Sequence, residues 1–138
     1  MSKTTLGFIL CGMVYLMIGI IVGVVFVVAP ETRVLATVHA HLNLVGFVMF
    51  LIFGIAYHIL PRFRGRPLHS ESMAWWQFLL ANAGLVGFMV VTGVAAYRPL
   101  EDWKAWQGAF GALLALSTAI FVYNMMRTLY VPKKEEVA

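Results

Sequence analysis

Charge is scarce in this chain. Only 12% of its 138 residues are Asp, Glu, Lys or Arg, about half the share of an ordinary soluble domain. No acidic residue falls inside any of the long apolar stretches, which argues against a proton-coupled transporter built on carboxylates. Cysteine occurs once, at Cys11, so an internal disulfide framework and any CxxC metal or c-type haem site are excluded. Cys11 stands in an apolar run and reads as a buried, inert thiol. Paired carboxylates, a nucleophile motif and a phosphate loop are also missing, which leaves little room for a conventional hydrolase or transferase. Nor is there the interleaved basic and aromatic surface that nucleic acid requires, so the net charge of +4 reports topology instead.

Apolar residues are what the chain has, at 62% of the total. No soluble fold of this length hides that much apolar surface, and the bilayer is the expected solvent. A spanning helix needs about 20 mostly apolar residues. Four stretches qualify, at about 6–28, 38–60, 73–96 and 106–130, within a single transmembrane domain covering 1–138. The first ends before Pro30, the second before Pro61 and the fourth before Pro132, because proline does not continue a helix comfortably. Ser70 or Ser72 is placed to cap the third. A cleaved signal peptide carries an apolar core of roughly 7–15 residues, shorter than the run from Leu6 to Val28, so the first span is read as retained. Lipid admits only helices or closed barrels, and period-two alternation is absent. The expected fold is therefore all-α, an integral membrane four-helix bundle.

Orientation follows from the basic residues. Lys3, Arg62, Arg64, Arg66, Arg127, Lys133 and Lys134 fall on one side of such a bundle, against Arg33, Arg98 and Lys104 on the other. The positive-inside rule puts the first group, and with it both termini, in the cytoplasm of a cell (inner) membrane protein. Trp75, Trp76, Tyr97, Trp103 and Trp106 sit near span ends, as interfacial aromatics do. The tail from Lys133 to Ala138 reads as a solvated end. Gly19 and Gly23, Gly84 and Gly87, and Gly108 and Gly111 are small residues suited to close helix contact, within the bundle or between copies of it.

Four histidines carry the remaining chemistry. His69 lies in the basic loop and is expected to be solvated, and His58 is expected to be polar and interfacial at the inner end of the second span. His39 and His41 open that span at its outer end. Two residues apart, they point about 200° from each other, so one helix cannot aim both at one metal. His41 and His58 are separated by roughly 25 Å of helix and cannot share an iron. His39, Asn43, Gly46, Phe50, Gly54 and Tyr57 share one face, whose two glycines are expected to leave a groove beside Phe50. His41, Val45, Val48, Ile52 and Ile55 form a separate apolar stripe. Either histidine is a helix-start residue bonded to a neighbour or a ligand to haem. A porphyrin needs an imidazole, flat apolar walls and a polar edge for its propionates, and Arg33 in the outer loop is a candidate for that edge.

The stretch from Thr37 to Phe63, TVHAHLNLVGFVMFLIFGIAYHILPRF, resembles the second transmembrane helix of the heme-copper oxidase superfamily, the catalytic subunits of cytochrome c oxidases and nitric oxide reductases. That helix opens with a pattern close to His-x-Asn-x-x-x-Phe, met here by His41, Asn43 and Phe47 with Gly46 between them. The resemblance implies that His41 is an axial ligand of a low-spin haem near the outer face, although His39 remains an alternative. The family has at least twelve spans. The later helix with the second low-spin and the high-spin haem ligands, the histidines of the active-site metal and the paired propionate-binding arginines have no counterpart here. Oxygen or nitric oxide reduction is therefore not carried over, and what the resemblance implies is a haem b site without a catalytic centre.

Such a site lacks its second axial ligand. Two copies about a two-fold axis, each offering His41, would supply it, and closed two-fold dimers are the commonest homo-oligomers. The expectation is thus a homo-oligomeric membrane cytochrome b that transfers electrons, with a quinol or a redox protein as partner. The alternatives are a non-catalytic structural or assembly subunit of a respiratory complex without its own haem, and an open-site haem enzyme or gas sensor.

Overall fold

The computed structural model describes residues 1–98 and 101–130. Pro132, Lys133, Lys134 and the rest of the expected solvated tail lie outside the described residues. Four helices are long and apolar enough to cross a membrane: Lys3–Val28, Pro30–Phe63, Glu71–Tyr97 and Trp103–Tyr130. Among the described residues there is no β-strand. The protein is an all-helical, multi-pass membrane protein.

Local chemistry sets the helix boundaries. The Ser2 side chain accepts from the Thr5 backbone N–H at 3.2 Å and caps the first helix. Ser70, rather than Ser72, caps the third by accepting from Met73 N at 3.1 Å. The second helix starts eight residues before the expected position. Pro30 opens it at the first position, where the missing N–H costs nothing, and a 3₁₀ turn (Pro30–Leu35) leads into the α-helix Ala36–His41. Its far end runs past Pro61 to Phe63, because a proline in the last turn removes one donor and leaves the following N–H groups free to bond. The stop comes from a Schellman motif. Gly65, at φ 60°, donates to Arg62 O at 3.0 Å and Arg66 N to Pro61 O at 3.0 Å.

The middle of the second helix is not α-helical. Leu42–Met49 is a π-helix, wider in its turn and followed by the α-helix Phe50–Phe63. Single-turn π-bulges concentrate at functional sites, and this one is eight residues long.

The first and second helices pack along each other, as do the third and fourth, and the two pairs meet at the first, second and third helices and at the second and fourth. Phe8, fully buried, is the hub: its ring meets Phe50 at 5.2 Å and Phe78 at 5.0 Å, both edge to face. Polar side chains also lie inside, since a lipid-facing surface has no need of them. Gln77 and Ser117 bond across the third and fourth helices, with Ser117 Oγ donating to Gln77 O at 3.0 Å. Asn124 engages the Ser70 backbone with both amide atoms, at 2.8 and 3.0 Å. The long apolar side chains that remain exposed, such as Met13, Ile21, Val90 and Leu116, face where lipid would be.

Lys3, the basic loop and the end of the fourth helix share one end of the bundle. Arg64 donates to Leu129 O at 2.9 Å, and Ser2 and Glu71 wall one cavity.

Candidate haem site

The two faces of the second helix meet different partners. His39, Asn43, Gly46 and Gly54 are pressed into the first helix. His39 Nδ1 donates to Gly19 O at 2.9 Å, and its Cε1 would stand 2.9 Å from a Cβ placed on Gly23. Asn43 Nδ2 donates to His39 O at 2.8 Å, with its amide packed on Gly19. Gly46 lies under Tyr15, and Gly54 under Phe8 and Ile9. The groove expected beside Phe50 is therefore filled on its glycine side: the small residues admit the first helix. Gly19 and Gly23 likewise serve packing inside the bundle, and so do Gly84 and Gly87 against Leu114 and Phe110. Gly108 and Gly111, by contrast, have no described residue of another element within 4 Å of where a Cβ would be.

His41 points elsewhere. Its Nδ1 lies 2.8 Å from Thr37 O, and a carbonyl oxygen only accepts, so this nitrogen carries the proton. The Nε2 lone pair is then the one left for a metal, the arrangement that ligating histidines adopt. The ring stacks on Phe88 of the third helix, centroids 4.4 Å apart and planes at 30°. His41 also lines a groove of about 220 Å³ between the second and fourth helices, whose mostly apolar walls include Val45, Met49, Phe53, Leu114 and Ala81 of the third helix, with Ser117 and Thr118. These residues fit a haem edge: one imidazole with its tautomer set, a flat aromatic neighbour and apolar walls.

The remaining residues of the expected site are not brought together there. Arg33 is exposed in the 3₁₀ turn and is not part of the groove wall, and Phe47 is half-buried on the π-helix with its carbonyl against Gly12. His58 lies at the basic end, 2.6 Å from Arg62 Nη1 through its Nδ1, and the same guanidinium reaches the His58 carbonyl. His69 is exposed in the basic loop. Among the described residues, no group of three or more His, Cys, Asp or Glu side chains is placed to hold a metal ion. Sequence reasoning did not find Phe88, Ala81 and Leu114. They lie far along the chain from His41, and no spacing rule links them to it.

Two curated proteins resemble the chain. One is the quinol oxidase subunit 1 of Sulfolobus acidocaldarius, 28% identical over 96 residues, covering 65% of this chain and 17% of that protein. The other is a cytochrome c oxidase subunit 1 homolog of Agrobacterium tumefaciens, 33% identical over 95 residues, covering 66% of this chain and 18% of that protein. The chain thus spans less than a fifth of the length of the curated relatives it matches. No family model matches, and no solved structure does. At 95 and 96 residues these matches are longer than the second helix alone, and over about two thirds of its length the chain is similar to heme-copper oxidase subunit I proteins.

Proposed function

We propose that this chain is a membrane-bound b-type cytochrome in which His41 ligates haem iron and which passes electrons. The observation that carries the reading is the state of one ring. His41 has its Nδ1–H engaged by Thr37, its Nε2 left over and its plane stacked on Phe88, in the wall of a mostly apolar groove. Haem would supply a one-electron redox couple there. Thr37 and Phe88 would hold the imidazole in orientation, and Val45, Met49, Phe53 and Leu114 would keep water from the ring edge.

The second axial ligand is expected from a second copy of the chain. Gly108 and Gly111 on the fourth helix leave a small-residue surface with no other described element against it, suited to a close helix contact in a bilayer. With two imidazoles on iron there is no open position, which suits electron transfer to or from a quinol or a redox protein. The excess of Lys and Arg at the end that carries Lys3 and the Arg62–Arg66 loop supports a cytoplasmic position for that end and an outer position for His41.

The deciding measurement is a reduced-minus-oxidised spectrum of purified protein, with haem and polypeptide quantified together. A sharp reduced alpha band, one haem per two chains and no change with carbon monoxide are expected. A carbon monoxide shift would mean an open-site haem instead. A second reading has its own support: the groove wall contains one histidine. On that reading it is a non-catalytic structural or assembly subunit, recovered colourless from haem-replete cells together with a larger complex.

A further inference from the structure

The basic end of the bundle holds a second cavity, far from His41 and unrelated to the haem reading. It measures about 220 Å³, and its walls include Ser2 and Thr5 of the first helix, Tyr57 and Arg62 of the second, Arg66 of the loop and Glu71 of the third. The Schellman motif at Gly65 places Arg66 there, since its backbone N–H is tied back to Pro61 O. Ser2, at the start of the first helix, brings that helix's N-terminal end, the positive end of its dipole, to the cavity.

Tyr57 is a buried wall residue whose enclosed hydroxyl lies beside the Asn124 side chain. The amide of Asn124 has both atoms engaged by the Ser70 backbone. Arg62, Arg66, His58 and the carboxylate of Glu71 all belong to the wall, and Arg62 also reaches His58. A neighbouring cavity, of about 590 Å³, shares Ser2 and Glu71 with it and adds Lys3 and Trp75. Around this end, Phe63, Trp75 and Trp76 are exposed aromatics, and Leu6 and Leu10 continue an exposed apolar track along the first helix. Aromatic side chains at this level mark the boundary between headgroups and acyl chains.

We propose that this cavity binds the phosphate of an anionic membrane lipid, whose acyl chains lie along the exposed face of the first helix. Basic pockets between transmembrane helices select such headgroups. A free phosphate shares the charge, but it would leave the apolar track beside the cavity unused.

The test is native mass spectrometry of the full chain in mild detergent, titrated in parallel with phosphatidylglycerol, phosphatidylcholine of the same acyl composition and inorganic phosphate. Phosphatidylglycerol should be retained at one per chain and preferred over phosphatidylcholine. The double variant Arg62→Gln/Arg66→Gln should bind it about 30-fold more weakly, at about fivefold per arginine. Arg98→Gln, at the opposite end, should change nothing. Where the double variant loses helix content, Arg66→Gln alone decides: about fivefold weaker binding supports the site, and unchanged binding removes it. Equal retention of the two lipids would overturn the proposal, as would inorganic phosphate bound as tightly as phosphatidylglycerol. The haem spectrum, recorded on the same samples, is expected to be unchanged, so this site and the haem site stand or fall separately.

Discussion

His39 and His41 stand two residues apart on one helix and meet opposite surroundings. His39 is wedged into the first helix, bonded to the Gly19 carbonyl, its edge against Gly23 and its ring 5.4 Å from that of Phe26. His41 is bonded only to its own helix, stacks on Phe88 and looks into a groove. The same side chain is thus a packing element at one position and, at the other, an imidazole whose second nitrogen has no partner among the described residues. The difference comes from what faces each, since both belong to the same helical turn. A polar residue inside a span is therefore best judged by which of its atoms the fold has left unused.

The largest effect that would break this contrast is loss of the haem spectrum. His41→Ala should abolish the reduced alpha band while lowering stability in detergent by no more than about 1.5 kcal/mol, because it gives up a hydrogen bond local to its own helix and the Phe88 stack. His39→Ala should retain the band. If His39→Ala removes the band and His41→Ala keeps it, the assignment of the iron ligand moves to His39.

Next in size is the close approach that seats the first helix. A Cβ on Gly46 would lie 2.7 Å from Tyr15 Cβ, an atom fixed by the backbone with no flexible end to move. Gly46→Val should cost about 2–3 kcal/mol through forced separation of the first two helices, read as a lowered unfolding midpoint in detergent. Gly108→Val, where no described residue of another element lies within 4 Å, should leave the isolated chain unchanged. If it also lowers haem content in the assembled protein, it places that surface at the contact between copies.

Much of the fold was legible in the sequence, because apolar length alone specifies a spanning helix. The four spans, the pairing of basic ends and the separation of His39 from His41 all follow from length, charge and angle. The start of the second helix at Pro30 was not legible. Glu31 and Arg33 lower the hydropathy there, and a 3₁₀ turn carries no apolar periodicity. The π-helix at Leu42–Met49 was also hidden, since its wider turn answers to packing against the first helix. The face formed by Asn43, Gly46, Phe50 and Gly54 could be drawn from the sequence, but not its occupant. Glycines announce that something comes close without saying what, and here the visitor is Tyr15 and Phe8 rather than a porphyrin. The surroundings of His41 were out of reach for a related reason: Phe88, stacked on its ring, and Leu114, in the groove wall, arrive only through tertiary packing.

A smaller effect than the glycine clash sharpens the role of His39. Its bond to Gly19 O links two helices, and interhelical hydrogen bonds in membranes are worth about 0.6 kcal/mol on average and up to about 1.7. His39→Ala should therefore lower stability by about 1 kcal/mol with its haem content intact, measured by unfolding in sodium dodecyl sulfate mixed micelles. A loss of more than about 3 kcal/mol would mean that the ring also holds Asn43 in place.

The smallest expected effect concerns the ring beneath His41. Phe88 is the one aromatic partner stacked on that imidazole, and an aromatic pair contributes about 0.5–1.5 kcal/mol beyond its area. Phe88→Leu keeps the apolar volume and removes the stacking plane. If Phe88 orients a haem ligand, the variant should retain haem but bind it up to about tenfold more weakly, with a broadened reduced alpha band. If Phe88 only fills space between the second and third helices, stability should fall while the band keeps its width. The line shape separates the two roles, because it depends on the angle of the imidazole and not on how tightly the helices pack.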